Sequence, residues 1–122
     1  MLSMGDRIDI ELKKIADNVY HATQPENGSA FPVVIYKLPS SITGEIREDF
    51  VLTIDIWGDS IDTRELEQLT VDISKGLDRK KFLLSDIAFR IYKVSQSEVP
   101  EMEENVERRQ LRFECKAIYI KE

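Results

Sequence analysis

Apolar residues recur along this chain at two spacings, one helical and one alternating. Near the start, Ile8, Leu12 and Ile15 fall at helical intervals, so residues 6–17 are expected to form a short amphipathic helix. Asp6 is placed to cap it, and Asp9 and Glu11 fall on its wet side. Val19 to Ala22 read as a short strand, followed by a turn-rich passage, 24–29, that holds the dipeptide Asn27-Gly28. Phe31 to Leu38 is β-branched and aromatic and too short for a helix, so a strand is expected there. Pro32 then belongs at its beginning, where no ladder donor is needed. Pro39-Ser40-Ser41 and Thr43-Gly44 break the chain again.

The clearest strand follows. Phe50, Leu52, Ile54 and Ile56 alternate with Val51, Thr53, Asp55 and Trp57, a period of two. Asp62-Thr63-Arg64-Glu65 has the capping-box pattern, with Asp62 accepting from first-turn amides and Glu65 reaching back. Leu66, Leu69, Ile73 and Leu77 mark one face of the helix it opens. Gly76 weakens the last turn, while Lys75, Arg79 and Lys80 suit the negative end of the dipole. Two strands close the chain, one alternating through Ile87, Phe89 and Ile91, the other through Leu111, Phe113, Cys115, Ala117 and Tyr119. Between them, residues 97–110 are rich in Glu and contain Pro100, so an exposed loop or arm is expected. The order is α-β-β-β-α-β-β. That predicts one α+β domain over 1–122, with a mainly antiparallel sheet of four to five strands and two helices on one face.

Composition narrows the class. With 122 residues, 42% hydrophobic and 33% charged, the chain suits one soluble domain and is too apolar for disorder. No apolar run approaches the ~18–20 residues of a membrane helix, and no signal-peptide pattern opens the sequence. Met4 stands close behind Met1 and offers a second place for translation to begin. The net charge of −6 argues against a nucleic-acid binder driven by bulk electrostatics, and no direct nucleic-acid readout is expected. The basic run Arg79-Lys80-Lys81 reads as a solvated turn.

Little catalytic chemistry survives inspection. His21 is the one histidine, which rules out the usual histidine relays and a histidine-rich metal site. Cys115 is the one cysteine, on the apolar side of its strand, and reads as a buried inert thiol. Asp55, Asp59 and Asp62 have the oxygen chemistry to hold a divalent cation. They are better explained as a wet-face residue, a turn residue and a cap. Glu114-Cys115-Lys116 matches the Glu-x-Lys half of a metal-dependent nuclease signature, where a carboxylate holds the metal and a lysine steadies developing charge. The missing half is an upstream carboxylate on a neighbouring strand. Only the loop residues Glu98, Glu101, Glu103 and Glu104 lie there, so neither a metal nor a cofactor is expected.

The run of features in order resembles the tail terminator and tail-completion proteins of long-tailed phages, also called head-tail joining or minor tail proteins. The resemblance rests on the amphipathic N-terminal helix and the strand opening Phe31-Pro32 and continuing Val33-Val34-Ile35-Tyr36. It continues in the strand Phe50 to Trp57, which leads through Asp59 into a helix, then in a charged loop and a long last strand. It covers the chain from about Ile8 onward. It implies a non-enzymatic virion protein of the tail or neck, assembled in the cytoplasm of a bacterial host. Such a subunit forms a homo-oligomeric ring, commonly a hexamer, that caps the tail tube and meets the head connector or neck protein. A ring needs heterologous interfaces that close. Arg108 and Arg109 beside Glu101, Glu103 and Glu104 offer patches of opposite sign for one, and the 39–48 loop with Arg47 offers another contact. Reversing Arg108 and Arg109 to Glu is then expected to abolish the ring without unfolding the subunit. Trp57 has two open readings, interface anchor or packing against the helix of Leu66–Leu77. The second reading of the whole chain is a small prophage-encoded interaction or adaptor domain, and the third is a nuclease using Glu114 and Lys116.

Overall fold

The computed structural model describes residues 3–21, 31–38, 47–100 and 105–120. Two helices and six strands are found among them, in the order α1 (Met4–Ile15), β1 (Val19–His21), β2 (Val33–Lys37), β3 (Arg47–Asp59), α2 (Arg64–Leu77), β4 (Lys81–Leu83), β5 (Ile87–Val99) and β6 (Val106–Tyr119). The expected Asn27-Gly28 turn and most of the 39–48 loop lie outside the described residues.

α1 begins two residues before the expected start because Ser3, not Asp6, is its cap. The Ser3 hydroxyl accepts from the Asp6 amide, and the Asp6 carboxylate accepts from the Ser3 amide, both at 3.1 Å. The backbone N–H of Ser3 and its hydroxyl together hold the Asp6 carboxyl below its usual range. At α2 the expectation holds in part, since Asp62 accepts from the first-turn amide of Arg64 but is not the cap residue. Thr63 is its cap and makes no side-chain capping bond. The Asp62 carboxylate is spent on Arg64, whose backbone N–H and guanidinium both donate to it.

One mixed sheet runs in the order β1-β2-β3-β6-β5-β4. Every neighbouring pair is antiparallel except β1 with β2, which is parallel. That is one more strand than expected, and the extra one is β4. Its three residues follow Arg79, whose positive φ of 64° turns the chain out of α2. A strand so short, opening on cations, carries no periodicity to read.

Residues 97–110 are not a free loop throughout. Ser97–Val99 continue β5 and Val106–Gln110 begin β6, paired rung for rung from Ser97↔Gln110 to Val99↔Arg108. The polar run hid this strand because Lys93 to Glu98 are all exposed and a bulge between Lys93 and Ser95 breaks the alternation. Residues 101–104 lie outside the described residues.

Register sorts the side chains onto two faces. Val34, Tyr36, Phe50, Leu52, Ile54 and Ile56 share a face with Phe89, Ile91, Leu111, Phe113, Cys115 and Ala117, and both helices pack on it. Ile8 and Leu12 from α1 and Leu66, Ile73 and Leu77 from α2 complete the buried cluster. Each such side chain contributes about 1.5–3 kcal/mol when fully buried. The two helices therefore lie on one face, as the sequence pattern suggested, and no described helix covers the other.

Candidate interaction surfaces

The helix-free face carries the most organised polar cluster of the described residues. Asp55 sits on it in mid-strand, paired with Ile35 on β2 and Gln110 on β6. It is 3% exposed, so the expectation of a wet-face carboxylate fails. Its Oδ1 accepts from Arg108 Nε at 3.1 Å, Arg108 Nη2 at 2.9 Å and Gln110 Nε2 at 3.0 Å. Arg108 in turn lays its guanidinium over the Trp57 ring, 4.9 Å from the centroid. Trp57 is half-buried on this face. Its alternation with the core residue Ile56 turns it away from α2 and decides against packing on that helix.

Arg109 belongs to the opposite face. It pairs with Ile56 in register and is 7% exposed beneath α2. Glu107 lies 3.1 Å from it, Glu67 on α2 3.4 Å and Glu98 on β5 3.6 Å. Burial works against its charge, but Glu107, Glu98 and Glu67 outweigh that and raise its pKa. The two arginines expected to form one exposed basic patch are thus separated by the sheet and already paired inside the chain. Arg47 opens β3 opposite Ile118. Glu101, Glu103 and Glu104 lie outside the described residues.

The remaining candidates find structural explanations. His21 stacks on Tyr36 with ring centroids 4.8 Å apart. The Tyr36 hydroxyl donates to Asp9 on α1 at 2.9 Å, and burial with that carboxylate pushes the phenol pKa up. Cys115 is fully buried. Asp59 accepts from the Ile61 amide as a turn residue, and Asp55 is committed to Arg108. Among the described residues no group of three or more His, Cys, Asp or Glu is placed to hold a metal ion. Glu114 and Lys116 share the helix-free face 3.9 Å apart, but Glu114 is flanked in register by Val51 and Tyr92. No partner carboxylate stands beside it at that level.

Sequence reasoning missed the Asp55–Arg108 pair, since a carboxylate in mid-strand reads as solvent-facing until its neighbours are known. The one available signal was alternation, which sets Asp55 and Trp57 on the same face.

The fold class is an α+β domain with two helices on one face of a six-stranded mixed sheet. No protein-family model matches the chain, and no curated protein is significantly similar to it in sequence. Among solved structures, one similar chain comes from the virion of a native gene transfer agent particle. The TM-score is 0.69 at 12% identity, and the match covers 91% of each chain. The likeness is one of fold, and it runs nearly end to end in both.

Proposed function

We propose that this chain is a structural subunit of a phage-like virion, forming a homo-oligomeric ring that caps the tail tube and joins tail to head. The observation that carries the reading is the end-to-end fold likeness to a chain of a gene transfer agent virion. The position in the tail or neck rests on the resemblance of the sequence pattern to tail terminators. The proposal assigns the chain no catalytic step. Its partners are further copies of itself, the tail-tube protein and a head connector or neck protein, and its location is the tail or neck.

The test is the mass of the purified protein by light scattering across concentration, alone and with the tail-tube protein of the same phage or prophage, followed by electron microscopy. A closed ring, or tubes of limited length capped by the protein, is the expected result. A chain that stays monomeric and leaves tube length unchanged would overturn the proposal.

A further inference from the structure

Among the described residues, two corners of the sheet carry clusters of opposite charge. At the β4 corner, Lys81, Arg90 and Lys116 stand side by side across β4, β5 and β6 on the helix-free face. All three are exposed. Arg90 and Lys116 both lean on the Tyr92 ring, 5.9 and 5.8 Å from its centroid, which holds them in place. The next row toward the corner is apolar, with Leu83 75% and Ile118 53% exposed on either side of Ala88. Arg79 and Lys80 add exposed cations where the chain enters β4. Among the described residues, the carboxylates nearby are Glu114, 3.9 Å from Lys116, Asp49, its register partner on β3, Asp86 in the β4–β5 turn, and Asp78 beside Arg79, which accepts from the Lys93 amide. They leave the corner cationic.

Diagonally opposite, at the β1–β2 edge and the Asp59 end of β3, two adjoining hollows form a groove between α1, α2 and the start of β2. Asp17, Asp59, Asp62, Glu65 and Asp72 line it around Phe31, which is 45% exposed. Arg64 balances Asp62 at 2.7 Å, which leaves Asp17, Asp59, Glu65 and Asp72 to make the groove acidic, and neither Lys nor Arg is among the described residues lining it.

Cations beside an apolar pair at one corner match carboxylates beside an aromatic ring at the other. One sheet holds the two corners apart, so they cannot meet within a single chain. Like corners repel, which disfavours a two-fold pairing of either corner with itself. Copies joined unlike corner to unlike corner repeat head to tail, the arrangement that closes into a ring. A nucleic-acid strand fits less well, because Leu83 and Ile118 gain nothing from phosphate and the chain carries −6 overall. We infer that the Lys81–Arg90–Lys116 corner docks into the acidic groove around Phe31 of a second copy of this chain.

This inference rests on the ring reading, and the experiment separates the two. Arg90→Glu/Lys116→Glu, Glu65→Lys/Asp72→Lys and the fourfold combination are compared with the wild type by light scattering, with folding checked by circular dichroism. Arg90→Gln/Lys116→Gln serves as a milder neutral variant. Each double reversal is expected to raise the association midpoint roughly tenfold or more, and the fourfold variant to recover assembly. Added salt should weaken the wild-type assembly, since exposed charges are screened. A wild type that assembles with a midpoint unmoved by either reversal overturns the inference and leaves the ring reading standing. A wild type monomeric under every condition, tail tube included, overturns both. Binding of double-stranded DNA that Arg90→Glu/Lys116→Glu abolishes, without self-association, assigns the corner to nucleic acid instead.

Discussion

Arg108 and Arg109 are consecutive in β6 yet are held on opposite faces of the sheet, and each already has a carboxylate partner within the chain. Arg108 bonds Asp55 at 2.9 Å on the helix-free face, and Arg109 lies under α2 within 3.6 Å of three glutamates. A pair that looks like one basic patch in the sequence is two separate internal ties.

Arg109→Glu should therefore destabilise the subunit itself. It would place a fourth carboxylate among Glu67, Glu98 and Glu107 at a buried position. The expected loss is about 2–3 kcal/mol, below the ~3–5 of a fully buried pair because the glutamates are solvent-screened. Urea unfolding of the variant reads it directly, and an unchanged midpoint would contradict the assignment. Arg109→Met, which keeps the stem and drops the charge, should cost less.

The Asp55 cluster should behave as one unit. Asp55→Ala strips Arg108 and Gln110 of their shared acceptor, and about 2–3 kcal/mol should be lost, below the ~3–5 of a fully buried pair because Arg108 reaches solvent. Arg108→Ala removes the same bond from the other side, so the double variant should cost less than the sum by about 1–3 kcal/mol. A double-mutant cycle in urea measures that coupling. Additive losses would mean that the two side chains do not interact in solution.

The elements that bury one clear face were legible before the structure was known. β3 shows this best, because Phe50, Leu52, Ile54 and Ile56 keep strict alternation against a covered face. What was hidden lacked any such face. β4 has three residues, and the far half of β5 is paired but exposed on both sides, so no periodicity marked it. The caps slipped by a residue or more, because Ser3 and Asp6 exchange bonds in a way that either alone as cap would not suggest. Of the candidate interface residues, alternation fixed the face of Trp57. It also sets Arg108 and Arg109 on opposite faces once β6 is known to begin at Val106. The loop assignment for 97–110 is what concealed that.

Two glycines beside packed side chains should respond differently to a methyl group. Gly58 lies in β3 where α2 crosses it, and a Cβ there would stand 2.8 Å from Leu66 Cβ and 3.3 Å from both of its δ-carbons. That contact joins backbone-anchored atoms, so Gly58→Ala should cost about 1–3 kcal/mol through overpacking. A Cβ on Gly76 would meet Ile15 Cδ1 at 2.6 Å, the far end of a flexible side chain. Ile15 can swing aside, and the helix gains about 0.8–1 kcal/mol from alanine. Thermal melts should rank Gly58→Ala well below Gly76→Ala, and the reverse order would refute the packing described.

Cys115 gives a pH dependence with a definite sign. Burial, with a smaller effect of Glu114, pushes its thiol from an ordinary 9.0 up to about 12. Below pH 9 the thiol is protonated in both folded and unfolded chains, and its contribution to stability is constant. Between about pH 9 and 12 the unfolded chain releases this proton while the folded chain keeps it. Stability should fall across that window by up to about 1.4 kcal/mol per pH unit on account of this one group. Other groups titrate there too, so the comparison is with Cys115→Ala, whose stability should decline less steeply by that amount. Urea unfolding at pH 8 and across the alkaline window supplies both slopes. The same burial predicts that a thiol reagent at pH 8 modifies Cys115 only as fast as the protein opens, and at the rate of a free thiol once urea is added. Rapid modification of the folded chain, or parallel slopes for the two proteins, would show that the β6 core is more open than its packing against Phe50 and Ile91 implies.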